Sequence, residues 1–279
     1  GLTFGLSGAD QRNLMYKVDG DQTVTNHWFK DSLDVLRQMF PNWHNHLVES
    51  GKGLTRVAGN RITTVPKTAE IDRTIGIEPS LNVFCQKGVD VYMRQRLRLM
   101  GLKLNSQEYS IDCMREFGLD ISTIDLSAAS DSVSIELVRL FVPSDWFQLL
   151  DMLRSKEYTL DRGLTFHKYH KFSSMGNATT FPLESMIFMA VARACCRVAG
   201  YSNYLRDRVR VYGDDIIVPW QIAGLVIETL RFLGFRTNSD KTFVFGPFRE
   251  TCGVDLLRGV DVRPVYLRAI PAKAWEVAG

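Results

Sequence analysis

"RVYGDDIIVP", residues 210–219, seats two adjacent carboxylates, Asp214 and Asp215, inside an otherwise apolar run. Val209, Val211 and Tyr212 precede them, and Ile216, Ile217 and Val218 follow. β-branched and aromatic residues on both sides of Gly213-Asp214 predict a hairpin, because Gly-Asp is an accepted two-residue turn and glycine supplies the positive φ it needs. Asp214 then lies in the turn and Asp215 heads the returning strand. Two like charges this close repel, and partial desolvation makes each costlier. A divalent cation relieves both problems. An exposed acidic turn without metal is the competing reading, so the triplet needs partners elsewhere in the chain.

The chain has 279 residues, 45% hydrophobic and 23% charged, the composition of a soluble globular protein with a sizeable core. Its net charge of +3 does not reveal a polyanion partner, so any nucleic-acid preference must lie in local clusters. Cys85, Cys113, Cys195, Cys196 and Cys252 are odd in number and lack C-x-x-C spacing, which argues against a disulfide framework or a zinc site and suits a reducing cytoplasm. The five histidines form no metal pattern. No apolar stretch has membrane-spanning length, no signal peptide is expected, and a start at Gly1 reads as a fragment. No internal repeat stands out. Helices are expected over 27–50 with a break at Pro41, over 81–104, over 132–141, over a long buried stretch ending at Gly200, and over 220–233. Strands are expected within 54–78, over 119–126, in the hairpin at 209–218, over 241–245 and in the tail. Helices and strands alternate without a simple βαβ repeat, which makes the fold class α+β.

Three segments are candidate partners of the acidic turn. In "ISTIDLSAASDSVSIELV" (121–138), Asp125 ends an apolar strand on the face of Leu119, Ile121 and Thr123, and small residues from Ser127 to Ser132 leave room above it. Asp131 or Ser132 as a helix cap, with Asp125 a strand-end charge, is the structural alternative. Three carboxylates on neighbouring strand ends form the oxygen-rich setting that Mg²⁺ prefers, able to clamp an in-line phosphoryl displacement with two ions. In "SSMGNATTFPLESMIF" (173–188), a polar loop enters an apolar helix and sets Ser174, Asn177 and Thr180 at its mouth, where backbone N–H groups can face an anion and side chains a sugar hydroxyl. Ordinary capping competes, and it leaves Glu184 unexplained. In "RITTVPKTAEIDRTIGIEP" (61–79), Lys67 and Arg73 flank a short turn and can meet a triphosphate, unless the hairpin is simply solvated. The next helix carries Arg94, Arg96 and Arg98, of which Arg94 and Arg98 share a face suited to a phosphate backbone or to solvent.

Taken in order, these pieces resemble RNA-directed RNA polymerases, most closely the replicase subunit of single-stranded RNA bacteriophages (leviviruses, Q-beta type). "VPKTAEIDRTIGIEPSLN" resembles the basic fingers motif, "DLSAASDS", "SMGNATTFPLES" and "YGDD" the first three palm motifs, "LGFRTNSDK" the fourth and "FRETCGVD" the phage form of the fifth. The resemblance runs from about residue 61 to 268. It implies a right-hand polymerase whose antiparallel palm sheet is backed by helices, with 1–118 as part of the fingers, 119–279 as palm and the start of a post-palm hairpin, and no thumb. It further implies that Asp125, Asp214 and Asp215 hold two Mg²⁺ ions, with Mn²⁺ a substitute, and that Lys241 acts as the fourth-motif lysine, against the alternative of a surface lysine paired with Asp240 or another carboxylate. Lys67 and Arg73 would bind the incoming ribonucleoside triphosphate, together with Asp131 and the loop residues Ser174, Gly176, Asn177 and Thr180. Implied partners are an RNA template and product strand, host translation elongation factors and a ribosomal protein, in the cytoplasm of an infected bacterium, with no membrane. The chain departs from the pattern twice: Ser130 stands where related polymerases carry the second acid of the first motif, with Asp131 one residue on, and Glu184 stands where the second motif commonly ends in Asn.

Reverse transcriptases share the palm carboxylates but exclude ribonucleotides with a bulky aromatic after the first-motif Asp. Residues 126–134 contain no aromatic, which favours ribonucleotides. A non-catalytic RNA-binding module has no need of three metal-ready carboxylates, and the stacked aromatics of the RRM signature are absent.

Overall fold

The computed structural model describes residues 21–67, 71–161, 163–201 and 207–263. The N-terminal half holds β1 (Gln22–Thr25), α1 (Phe29–Met39), α2 (Pro41–Glu49), β2 (Leu54–Val57), β3 (Asn60–Pro66), β4 (Asp72–Ile77), α3 (Ser80–Leu99) and α4 (Glu108–Phe117). Next come β5 (Ile121–Ile124), β6 (Leu126–Ser127), α5 (Ala129–Ser132), α6 (Ile135–Phe141), α7 (Ser144–Leu153), β7 (Glu157–Thr159), β8 (His167–Lys168) and α8 (Thr180–Val198). The chain continues through β9 (Arg210–Tyr212), β10 (Asp215–Pro219), α9 (Trp220–Phe232), β11 (Arg236–Thr237), β12 (Phe248–Thr251), β13 (Val254–Leu257) and β14 (Val260–Asp261). No described helix is long and apolar enough to cross a membrane.

The expected hairpin is the centre of an antiparallel sheet of order β5-β10-β9. Both faces of β10 are covered. Ile216 and Val218 enter the main core with Ile187 and Phe188 of α8 and Val226 and Leu230 of α9. Ile217 points the other way, toward Cys113 and Met114 of α4, Ile121 and Leu256. This two-sided burial explains why "IIVP" reads as an unbroken apolar run rather than an alternating one. The meander β12-β13-β14 is fastened to the sheet by a buried arginine. Arg249 donates from Nε to the Ile121 carbonyl (2.6 Å) and from its terminal nitrogens to Gly246 (2.9 Å), Phe248 (2.6 Å) and Leu119 (3.4 Å).

A second sheet, β4-β3-β7-β8, gathers the basic hairpin of the N-terminal half. Its strand β7 comes from the segment read as palm, pairing Asn60 with Tyr158 and Arg61 with Thr159 in parallel.

Several expected elements change shape. The strand expected over 241–245 is reduced to one bridge, Phe243 to Thr123, because the neighbouring groups bond elsewhere: the Thr242 hydroxyl lies on the Asp125 backbone, and the Val244 carbonyl accepts from Ser122 Oγ (3.0 Å). The strand expected over 119–126 shortens to β5, with an exposed Leu119 in a 3₁₀ turn, so Leu119 shares no strand face with Asp125. The helix expected over 132–141 divides into α5 and α6, where Ser134 Oγ accepts from Leu137 N–H (3.1 Å) and caps the second piece. Helices α4 and α7 were not expected; Ile111, Met114, Leu150 and Leu153 give them their buried faces.

Phe188 is fully buried and meets Phe235 edge to face, with ring centroids 4.9 Å apart. Phe188→Ala should lower stability by about 3–5 kcal/mol, and chemical denaturation of the variant checks this.

Candidate active site

Asp215 pairs with Tyr212, so Gly213-Asp214 closes the hairpin as a two-residue turn. Gly213 has φ +63°, and a Cβ there would lie 2.8 Å from a ring carbon of Phe181. Its N–H donates to Ser185 Oγ (2.9 Å). The turn is therefore seated on the first turns of α8, and only glycine satisfies both the dihedral and the contact. In the partnering of β10 with β5, Ile216 stands opposite Ile124. The next position in that register sets Asp215 across from Asp125, at the open end of the sheet. Asp125 is held on its other side: its carbonyl accepts from Asn238 N–H (2.9 Å), and its Oδ2 accepts from Asn238 Nδ2 (3.0 Å).

The electrostatics show that these carboxylates share one space. Burial raises the Asp125 carboxyl above its ordinary value and Asp214 adds to the rise, while Asn238, Lys241 and Lys67 oppose it. Asp215 is pushed up to about 6, first by burial and then by Asp214, Glu250 and Asp125, against a backbone hydrogen bond from Cys252. Asp214 itself is exposed at the tip of the turn. Among the described residues no three His, Cys, Asp or Glu side chains form a preformed cage for a metal. Mg²⁺ ordinarily binds through one or two carboxylates plus substrate phosphates. An open set of mutually repelling carboxylates fits that mode, with Asp125, Asp214 and Asp215 as the protein's share.

Lys241 stands in the turn after β11, half exposed, with Nζ 3.6 Å from Glu250 Oε2. Burial alone would lower its ammonium, but Glu250, Asp125 and Asp215 outweigh it and hold the group above its usual value. Glu250 is a carboxylate that the sequence reading quoted within its motif without a role. Lys67 is exposed yet acts on Asp125 across the gap. Arg73 is exposed on β4 opposite Val65, and among the described residues no ion pair or hydrogen bond joins it to Asp125, Asp214 or Asp215. Asp131 is half exposed and ion-paired with Lys171, a residue the sequence reading passed over.

The loop before α8 is built largely from its own groups. Ser174, Asn177 and Thr180 are buried; Asn177 Oδ1 accepts from Thr179 N–H and Oγ1 (both 2.8 Å), and Thr180 Oγ1 donates to the Ser174 carbonyl (2.9 Å). Asn177 Oδ1 thus closes a local turn just before α8, whose N-cap Thr179 makes no side-chain cap hydrogen bond. Gly176 (φ +108°) lies so close to β4 that a Cβ would fall 2.0 Å from the Gly76 carbonyl oxygen, and Gly76 N–H donates to the Met175 carbonyl (2.7 Å). Ala178 N–H reaches Gln86 Oε1 (3.2 Å) on α3. Gln86 in turn donates to Glu78 (3.2 Å), a buried carboxylate that also accepts from Asn60 (2.7 Å) and Ser155 (2.9 Å). Burial raises the Glu78 carboxyl, and these donors oppose the rise.

Glu184 is 7% exposed, and its Oε1 lies 3.5 Å from where a Gly213 Cβ would be. Its Oε2 is buried with no hydrogen-bond partner. Burial, then Asp214 and Asp131, push it up to about 8, so it is neutral at pH 7. A carboxyl that keeps its proton in the fold but loses it when unfolded destabilises the fold progressively as pH rises from about 4.5 to about 8. Glu184→Gln should remove this dependence. Without divalent ions, the stability of the variant relative to the parent should grow between pH 5 and 8, at most ~1.4 kcal/mol per pH unit, as read from denaturation at each pH.

Residues 8–274 match the RNA replicase, beta-chain family. The chain is 45% identical over 223 residues to the RNA-directed RNA polymerase subunit beta of Qbeta virus (strain MX1), covering 77% of this chain and 37% of that one. It is 42% identical over 258 residues to the RNA-directed RNA polymerase beta chain of Escherichia phage MS2, covering 91% and 46%. The chain thus spans less than half the length of these curated relatives. Among solved structures it resembles the RNA-dependent RNA polymerase of a human picobirnavirus (TM-score 0.50, 16% identity, 66% of this chain and 40% of that one). It also resembles the Candida albicans telomerase (TM-score 0.51, 13% identity, 72% and 44%). At these identities the structural likeness speaks for a shared right-hand polymerase fold alone. The sequence matches are of another order, and they cover the acidic hairpin together with the loops that seat it: the chain belongs to the RNA replicase beta-chain family.

Proposed function

We propose that this chain carries the catalytic core of a polymerase that copies RNA into RNA from ribonucleoside triphosphates during phage genome replication. The observation that carries the reading is the meeting of Asp125 and the Asp214-Asp215 turn at the open end of a sheet buried on both faces, with Lys241 beside them. We assign 1–118 to the fingers and 119–279 to the palm, the segment 157–168 returning to the fingers sheet. No described residue is assigned to a thumb.

In the proposed reaction the 3′-oxygen of the growing strand attacks the α-phosphorus of the incoming nucleotide, a P–O bond forms and pyrophosphate leaves. Two Mg²⁺ ions, or Mn²⁺ in their place, held by Asp125, Asp214 and Asp215, would supply Lewis-acid stabilisation of the attacking and leaving oxygens. Lys67, whose charge already acts on the Asp125 carboxyl, meets the triphosphate, with Arg73 on the strand after it. Lys241 gives charge and a proton to the leaving pyrophosphate. Asp131, Ser174, Gly176, Asn177 and Thr180 shape the nucleotide side of the site, the loop residues through the backbone they hold. By the family resemblance, host translation elongation factors and a ribosomal protein join the assembled replicase in the bacterial cytoplasm.

The fold is compatible with a reverse transcriptase, since a telomerase shares it. The absence of any aromatic from 126–134 favours ribonucleotides. Divalent-metal-dependent incorporation by the full-length protein tests the proposal, with ribonucleotides expected to be strongly preferred; equal rates for matched deoxynucleotides would count against it. Asp125→Ala or Asp214→Ala should abolish nucleotide addition while leaving RNA binding largely in place, and substantial incorporation by either variant would sink the assignment. Lys241→Arg should slow single-turnover incorporation on the order of tenfold or more, because arginine keeps the charge but not the transferable proton.

A further inference from the structure

The arginines of α3 are not absorbed by the catalytic site. Arg94 is neutralised, donating from Nε to Asp90 (2.6 Å) and from a terminal nitrogen to the Leu104 carbonyl (2.6 Å). Arg96 and Arg98 have no ion pair among the described residues. Arg98 lies where two clefts meet. One, about 310 Å³, is lined by Arg94, Arg98, Lys103, Asn105, Ser106 and Tyr109. The other, about 550 Å³, is lined by Tyr92, Gln95, Arg96, Arg98 and Leu99. Neither lining contains a carboxylate. Glu108, the acid nearest the first cleft in sequence, lies 3.9 Å from Arg115 further along α4.

Aromatic rings alternate with these cations. Tyr109 has Lys103 Nζ 4.0 Å and Arg210 Cζ 4.2 Å from its ring centroid. Tyr92 is 51% exposed and stacks on Trp146, with centroids 5.9 Å apart and planes 16° apart. The clefts are also linked to the catalytic turn: Arg94 lies over Phe181 (5.1 Å), and Phe181 packs on Tyr212 (4.8 Å), which precedes Gly213-Asp214. Arg96, Arg98 and Lys103 have no ion pair among the described residues, so a polyanion lying across Arg98 and its neighbours supplies the countercharge that the fold does not. Cations that follow a backbone beside an exposed ring such as Tyr92 are the equipment of single-stranded nucleic-acid binding.

We propose that the paired clefts around Arg98 are an additional RNA contact, taking the sugar-phosphate backbone of a single strand one aromatic layer away from the catalytic turn. The choice of RNA over another polyanion rests on the polymerase reading. Two experiments on the full-length protein test the inference. First, Lys103 in the unaltered protein is acylated with an amine reagent and quantified by mass spectrometry, with single-stranded RNA or inorganic phosphate present at equal phosphate concentration. Protection by RNA alone is expected. Protection by inorganic phosphate as well shows a small-anion site and overturns the proposal, as does no protection by RNA. If unprotected protein still incorporates ribonucleotides under the same conditions, the cleft assignment fails while the polymerase reading stands. Second, RNA affinity is measured against salt for Arg98→Gln/Lys103→Gln and for the charge-keeping Arg98→Lys/Lys103→Arg. The slope of log K against log salt should fall by roughly 0.7 per lost phosphate contact, about 1.4 for the neutral pair, with wild-type behaviour in the charge-keeping pair. An unchanged slope in the neutral pair, or an equal loss in both, overturns the proposal.

Discussion

The site depends on the register that sets Asp125 and Asp215 at the same open end of β5 and β10, with Asp214 in the turn beside them. Like charges brought together by strand pairing cannot move apart, because both strands are buried and the turn is seated on Phe181 and Ser185. Burial first, and then the charge of their neighbours, raises the Asp125 and Asp215 carboxyls above their ordinary values. Fixed geometry and unfavourable charge together make a setting of the kind that a divalent cation would relieve, and that a flexible acidic turn would not reproduce.

Around this core the protein separates charge by burial. Glu184, wholly enclosed beneath the turn, stays neutral at pH 7, while Asp214 at the tip is open to solvent. Lys241 is held cationic against partial burial by Glu250, Asp125 and Asp215. One small region thus contains a neutral acid, repelling carboxylates and a committed cation.

A second constraint joins this sheet to the basic hairpin. Two glycines, Gly76 and Gly176, let β4 and the loop before α8 approach at backbone distance, and Glu78 ties the same strands to α3 through Asn60 and Gln86. The loop is a joint between the two sheets, so the Lys67 side of the site is held in relation to the carboxylates by backbone contacts.

The acidic hairpin and its turn were legible in the sequence because they depend on local preferences: a glycine at a positive φ, β-branched flanks and adjacent carboxylates. Ordered motifs supplied the family. Short elements were less legible. The strand expected over 241–245 became a single bridge because Thr242 and Val244 bond to the neighbouring strand's side chains and backbone rather than extending a ladder. Asn177 and Thr180 looked available for a ligand, yet their polar groups close the loop on itself. The neutral state of Glu184, the pairing of Asp131 with Lys171 and the return of β7 to the second sheet join residues far apart in the chain, and the pairing of Lys241 with Glu250 joins two separate elements. Residue types and spacing determined the family and the order of its motifs; tertiary packing alone decided which charges are buried, which are paired and which remain open, because desolvation and Coulomb energy depend on neighbours that the linear order does not bring together.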